Sequence, residues 1–425
     1  MYFTAQKAVN GQLNLYKITV FVFLLFLSLI AVSDRCLCQE TPFNPEIDRH
    51  MRLGPFRIRP FFAIQNAGYD SNIYRRRTEV VSDFTATLSP GCDIFFNLGH
   101  RGTVLLKEQA DLVYFIDESS QNHINNRMLA ELDLFFNRFS FKGKGSLLYL
   151  KERPNNEIDV RTRNTLGNFF LSTVYKYSSK SNASFSFSRR TIRYNSNDEY
   201  YGASLSNAFD RDEDSIILNF SQKLFRKTTV ALESGFFQYD FQKDFSRDSD
   251  AKHYTIGFTF DPEAIISGNL KIGKASFTPN DEKYSEYDGA IGEASLSYRI
   301  TQSTRMTLLY KKEILFSIYG TNLFYIQNSY GLSIFQYLTR RLGFELGATF
   351  YRSRYTVPEY IPLPEGGSIY DYRRDDVKTG FAGLKYKLSD NYNVGLRISR
   401  WVRDSNLYTQ DVDETMIGTT FGYQF

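Results

Sequence analysis

This 425-residue sequence has little histidine (4), methionine (5), cysteine (3) or proline (11), and a single tryptophan. Each scarcity excludes something. His50, His100, His123 and His253 stand too far apart to form a metal-ligand set. Cys36 and Cys38 fall in an N-terminal segment that reads as removable. Cys92 then remains alone, and one thiol makes neither an internal disulfide nor a metal site. Phosphate-binding Gly-Lys loops, nucleophile elbows and His-Glu-x-x-His helices are all missing, so no catalytic residue set, cofactor or metal is expected. The net charge of +4 is too small to argue for nucleic acid. Mean hydropathy is −0.36, unlike a bundle of membrane helices.

Only one long apolar run exists, at residues 18–32. It follows Lys7 and Lys17 and is shorter than the about 20 residues a spanning helix needs. It reads as the core of a signal peptide covering residues 1–38, with Cys36 and Cys38 as the small residues before cleavage. An uncleaved anchor is the alternative. Arg35 before Cys36 and Leu37 before Cys38 argue against a lipoprotein box.

What the sequence has in abundance is aromatic: 38 Phe and 30 Tyr. Aromatic side chains favour strands and membrane interfaces. After a polar lead-in at 39–55, the pattern that recurs is alternation with period two. In 342–350, Leu342, Phe344, Leu346, Ala348 and Phe350 share one face, with Gly343, Glu345, Gly347 and Thr349 opposite. In 392–399, Tyr392, Val394, Leu396 and Ile398 oppose Asn393, Gly395, Arg397 and Ser399. The last segment sets Ile417, Thr419, Phe421, Tyr423 and Phe425 against Gly418, Thr420, Gly422 and Gln424. An apolar face against a small or polar one is what lipid outside and water inside require.

Short turns (178–182, 224–227, 301–304, 339–341, 389–391) alternate with long loops (71–81, 116–126, 153–163, 195–213, 242–252, 279–287, 356–376, 404–414). The expected fold is therefore all-β: a transmembrane antiparallel up-and-down barrel over 56–425, with about 18 strands (16 possible) and both chain ends periplasmic. A soluble propeller is the rival, because hairpins recur at about the length of a blade. It fails on strand length and on the lack of a blade signature. Phe421, Tyr423 and Phe425 are expected to close the barrel against the strand at 56–64. Three features fit poorly. Glu108 falls in a lipid-facing register and calls for a bulge or a place above the bilayer. Pro60 and Pro90 remove ladder donors from two strands.

At 54–75 the sequence runs Gly-Pro-Phe-Arg-Ile-Arg-Pro-Phe-Phe-Ala-Ile-Gln-Asn-Ala-Gly-Tyr-Asp-Ser-Asn-Ile-Tyr-Arg. This resembles the opening strand of the β-barrel porin type 2 family, including its Gly-Tyr-Asp-x-Asn-Ile ending, here Gly68 to Ile73. The aromatic end is similar to the assembly signal of outer-membrane barrels at large. The resemblance implies a Gram-negative outer-membrane location, contact with lipid and the assembly machinery, and no catalytic residues; separately, Tyr74, Arg75, Arg76 and Arg77 are expected at the outer surface, where they could meet anionic lipopolysaccharide or stay solvated. Association of some members with exopolysaccharide export implies a periplasmic export partner.

Candidate functional residues follow from the register. About 16 basic side chains are expected inside against about 6 acidic ones, a pattern of the kind that sets pore selectivity. Arg57, Arg59, Lys142, Lys144, Arg190, Lys271, Arg299, Lys385 and Arg397 are the leading bases, with Glu233 and Glu345 among the acids. A lumen of paired, unselective charges is the alternative. Tyr360, Tyr370 and Tyr372 lie in the longest loop, where they could stack on sugar, or the loop could fold back and constrict a pore. The expected function is a passive or loop-gated channel for anionic solutes or secreted polysaccharide. The alternatives are a rim enzyme pairing His123 with Asp117 or Glu118, or His253 with Asp248 or Asp250, and an adhesive surface barrel.

Overall fold

The computed structural model describes residues 51–362 and 365–424. The expected signal segment, most of the lead-in and Phe425 lie outside these residues. Eighteen strands close into one antiparallel barrel, each paired with its sequence neighbours. The first nine are β1 (Phe56–Asp70), β2 (Asp83–Asn97), β3 (Gly102–Phe115), β4 (His123–Phe135), β5 (Phe139–Glu152), β6 (Thr162–Lys176), β7 (Ser181–Tyr194), β8 (Arg211–Phe225) and β9 (Thr228–Phe241). The second nine are β10 (Ser249–Phe260), β11 (Ile266–Pro279), β12 (Tyr287–Arg299), β13 (Thr304–Phe316), β14 (Phe324–Tyr337), β15 (Leu342–Tyr355), β16 (Arg374–Lys387), β17 (Tyr392–Ser405) and β18 (Val412–Gln424).

One end of the barrel carries the short turns, such as 226–227 and 136–138, and the other carries the loops, up to 356–373. The expected loop at 116–126 is shorter than the sequence suggests, because β4 already pairs at Val113↔His123. Residues Met51–Leu53 of the lead-in fold back on Phe56–Ile58 as a short strand, through Gly54 at φ 61°.

Closure is made by β1 and β18, with Phe62 opposite Tyr423, Ile64 opposite Phe421 and Tyr69 opposite Ile417. No sheet edge is then left to lipid, where an unpaired backbone group has no water to bond. The seam contains a bulge at Gln65 and Asn66, and Asn66 takes φ 53°. Just beyond it β1 and β18 approach so closely that a Cβ on Gly68 would stand 1.9 Å from the Ile417 carbonyl oxygen. This is the physical reason for glycine at the start of the Gly68–Ile73 motif.

Alternate residues face out. On β17 these are Tyr392, Val394, Leu396 and Ile398, and their neighbours on β16 and β18 continue the apolar band. Nearer the loops the outward face turns ionic. Cross-strand pairs join Arg193 to Asp212 at 2.7 Å, Lys274 to Asp288 at 2.7 Å, Arg352 to Asp376 at 2.8 Å and Lys378 to Asp404 at 2.7 Å. This collar bounds the apolar band on the loop side.

Glu108 breaks the pattern, and the bulge expected there is not present. Its strand runs in register, Gln109↔Arg127, Glu108↔Met128 and Lys107↔Leu129, with no bulge. Glu108 is mid-strand and faces outward between Leu106 and Ala110. Asn126, also outward, donates to its carboxylate at 2.5 Å. Pro60 and Pro90 are absorbed without a slip. The β1–β2 ladder runs through both, and the β2–β3 ladder only skips from Leu88↔Leu112 to Gly91↔Gln109 around Pro90.

The β12–β13 ladder is shorter than its neighbours and ends at Gly292↔Lys312. Beyond it the tip of the β13–β14 hairpin turns into the barrel. Phe316 packs on Phe241 with ring centres 5.1 Å apart, and Phe324 on Phe277 at 4.9 Å. The buried core lies here, at the loop end of the lumen.

Gly68→Ala should weaken the seam by about 1–3 kcal/mol, the usual cost of overpacking. Gly380→Ala, where an added Cβ meets nothing within 4 Å, is the control. Loss of the heat-modifiable folded band at lower temperature for G68A alone is the expected result on gels.

Candidate functional site

The site is the loop-end mouth, and the loop at 153–161 builds most of it. Asn155 begins the turn by accepting backbone N–H bonds from Glu157 at 3.0 Å and Ile158 at 3.1 Å. This side-chain-closed turn sends the chain inward. Glu157 then reaches the far wall. It accepts from the Ser317 hydroxyl at 2.7 Å, the Ile318 N–H at 3.0 Å and the Tyr355 hydroxyl at 2.9 Å. Ser317 and Ile318 belong to the β13–β14 loop and Tyr355 ends β15, almost half the circumference away from β5 and β6. A contact between those sectors has to cross the lumen.

Asp159 makes a second crossing. Arg403 of β17 grips it through both terminal guanidinium nitrogens, at 2.6 and 3.1 Å, and also donates to the Asn156 carbonyl at 2.7 Å. Tyr200, from the β7–β8 loop, places its hydroxyl 3.2 Å from both the Asp159 carboxylate and the Gln410 side-chain carbonyl, so its one hydrogen is shared between them. Between the two acids Ile158 is fully buried against Leu205, Phe209, Tyr200 and Ile318. Three loops from three sectors of the wall thus share one apolar cluster across the mouth. Arg247 adds a bond to the Ser317 carbonyl.

The ends of the same loop hold the motif after β1. Arg153 and Arg161 both donate to the Ile73 carbonyl at 2.6 Å. Asn72 bonds Arg76 on both sides of its amide, at 2.8 and 2.9 Å, and the Asp413 carbonyl at 3.0 Å. Ser71 exchanges bonds with Thr415 at 2.9 and 2.8 Å. The Gly-Tyr-Asp-Ser-Asn-Ile motif is therefore a latch that joins the barrel seam to the mouth. Below it lies a cavity of about 510 Å³ lined by Arg75, Arg127, Arg153, Arg161, Asp70, Asp111 and Glu152.

Electrostatics mark the crossing. Burial raises the Glu157 carboxyl above the usual carboxylate range, against the opposing pull of Arg373 and of its three donors. Arg373 itself lies between the Tyr319 and Tyr355 rings, 4.8 and 4.6 Å from their centres, and pairs with Asp375 at 2.8 Å. Burial first, and then the charges of Arg75 and Arg161, lower Arg153 to about 9.

The candidate lumen residues all lie on the inward register, but most are paired. Arg59 pairs with Asp93, Lys142 with Asp133 at 3.8 Å, Lys144 with Glu131 at 2.8 Å and Arg190 with Glu213 at 3.6 Å. Lys271 meets Glu233 at 3.0 Å, and Glu345 lies 3.4 Å from Lys385 and 4.0 Å from Arg397. Arg57 and Arg299 line the turn end of the same surface. Asp93, Asp111, Glu152, Glu213, Glu313, Asp375 and Glu414 also face in, so the basic surplus counted from the sequence shrinks.

Tyr360 and Tyr370 pair across a small hairpin with ring centres 5.0 Å apart, tilted at 51°, and with Tyr372 they stand exposed to solvent. The constriction comes from other loops, although Ile361 of that hairpin is buried. Phe421 and Tyr423 lie in the closing ladder. The proposed histidine pairs do not form. His123 Nδ1 lies 2.6 Å from the Gln121 carbonyl, while Glu118 takes the Tyr74 hydroxyl. His253 sits 3.2 Å from Glu233, while Asp248 accepts the Phe241 N–H at 2.7 Å.

Glu157, Asp159 and Arg403 were missed from the sequence. The available signal was Ile158, an apolar residue flanked by two acids in a loop otherwise rich in Asn, Pro and Arg.

A closed antiparallel barrel with an apolar outer band, an ion-paired lumen and a mouth crossed by its own loops defines a porin-like barrel of the outer membrane. Residues 48–425 match the family described as "Putative beta-barrel porin 2", and the chain belongs to that family. No curated protein matches the sequence significantly. Among solved structures, Pseudomonas aeruginosa OpdO is similar at TM-score 0.49 and 12% identity, over 87% of this chain and 97% of that one. The outer membrane protein OpdK of P. aeruginosa gives 0.47 and 9%, over 87% and 99%. The siderophore receptor PirA of Acinetobacter baumannii gives 0.43 and 8%, over 87% and 80%.

Arg403→Ala should undock the loop at 153–161 at a cost of about 3–5 kcal/mol, because it leaves Asp159 buried without its cation. Limited proteolysis should then cut within 153–161 while the barrel keeps its heat-modifiable mobility.

Proposed function

We propose that this protein is a loop-gated conduit of the outer membrane that passes anionic solutes and serves the secretion of an acidic polysaccharide. The observation that carries the reading is the crossing of the mouth by Glu157. The closing elements are loops, held by side chains, and not strands of the wall. Such elements can leave without opening the barrel. Eighteen strands are wide enough to leave an aqueous channel once they do.

The lumen supports the anionic cargo. Its bases still outnumber its acids, although pairing weakens the field that a passing ion would meet. The chain ends are taken as periplasmic and the loops as external, which agrees with long loops at one end and short turns at the other. The ionic collar then meets lipopolysaccharide head groups, and the turn end is left for a periplasmic export partner. The aromatic β18 is the segment the assembly machinery would read.

The gate should respond to pH with a defined sign. A closed mouth holds the Glu157 carboxyl above its ordinary range, so it keeps the proton that an open, solvated mouth releases. Closure is therefore strongest below the ordinary carboxylate range and weakens as pH rises through the raised value. In planar bilayers the wild-type barrel should be mostly closed, with openings more frequent at higher pH. Glu157→Gln should flatten that dependence, and Glu157→Ala should raise open probability at every pH. The open state should prefer anions modestly. Frequent opening of the wild type with no pH response, or a cation preference, would overturn the reading.

A further inference from the structure

The outward face of β1 to β4 differs from the rest of the wall in two independent ways. The first is the Glu108–Asn126 pair. A carboxylate in mid-strand, between Leu106 and Ala110, belongs to the most apolar depth of the band, where acyl chains offer it no donor. Its only hydrogen bond among the described residues comes from Asn126 at 2.5 Å, and the Asn126 carbonyl oxygen has no partner there. The second is a break in the ionic collar. Charged outward side chains recur towards the loop ends of β7 to β13 and β15 to β17, as in the pairs Arg193–Asp212, Lys274–Asp288 and Lys378–Asp404. On β1 to β4 the same positions are Tyr69, Phe84, Tyr114 and Ile124, all exposed and uncharged. A collar suited to polar head groups is absent where the wall holds a polar group at depth. Lipid explains neither feature, and a protein surface explains both.

We infer that the β1–β4 wall is the contact face for a second copy of this chain in the membrane. The patch is self-complementary. The Asn126 amide has two N–H groups, and only one is needed by its own Glu108. In a two-fold contact the other can serve Glu108 of the second copy, and the same bond is made in return. Gly145, on the outward face of neighbouring β5, has open space where a side chain would stand and lets the second wall approach. The inference is independent of gating, since every gating residue lies inside the mouth.

Cys92 makes the test direct, because it pairs with Glu108 across β2 and β3 and faces the same way. Outer membranes carrying the intact chain would be treated with a bis-maleimide, and purified barrel in mild detergent would be sized by light scattering. The expected result is a cross-linked band at twice the monomer mass, lost in Cys92→Ser, and a dimer in detergent. Glu108→Leu and Asn126→Leu should lose both the band and the dimer while keeping the heat-modifiable fold. Glu108→Gln, which still bonds an amide, should retain them and covers the case of a leucine variant that fails to fold. A wild-type monomer with no Cys92 cross-link would overturn the inference. So would an oligomer that survives Glu108→Leu, since its interface would lie elsewhere.

Discussion

Everything in this molecule depends on the pairing of β1 with β18. Inside a membrane an open sheet edge has no partner, so the first and last strands must meet or none of the wall is stable. The meeting is demanding. It needs a bulge at Gln65 and Asn66, a glycine at 68 to admit the Ile417 carbonyl, and the exchange of bonds between Ser71 and Thr415. The residues that complete the seam then continue into the mouth, where Ile73 receives Arg153 and Arg161. Closure of the wall and closure of the mouth share one short stretch of chain.

The interior is divided. Towards the turns it is a surface of cross-strand ion pairs, which gain little from one another beside water. Towards the loops it becomes a packed core of Ile158, Leu205, Phe209 and Ile318, threaded by buried charges. Those charges add little net stability compared with apolar packing. What they supply is geometry. Asp159 fits the fork of Arg403, and Glu157 fits three donors on the opposite wall. A core of aliphatic side chains alone could pack in many ways; these charge pairs favour one.

The wall is largely legible in the sequence. Alternation in 392–399 placed Tyr392, Val394, Leu396 and Ile398 outside and Arg397 inside, because in a strand the side chain's face follows from its position alone. The same rule puts Glu108 outside, where its cost calls for a bulge or a place above the bilayer, and the register contains no bulge. Period-two reasoning gives the direction of a side chain, and what surrounds it lies beyond the strand's own pattern. The lumen charge surplus is smaller than the sequence suggests for another reason. Acids near the loop ends, such as Asp375 and Glu414, fall in stretches that read as loops, and the strands run further than their apolar stretches do.

By itself, then, the sequence determined the barrel, its closing strands and the direction of nearly every wall residue. Those depend on local alternation and on a constraint from the solvent. The tertiary structure alone decided the mouth. Glu157 and Ser317 are far apart in sequence, and nothing periodic marks either of them. They meet because the strands that carry their loops stand on opposite sides of a closed ring, and a contact across a ring is a property of the ring, not of either segment.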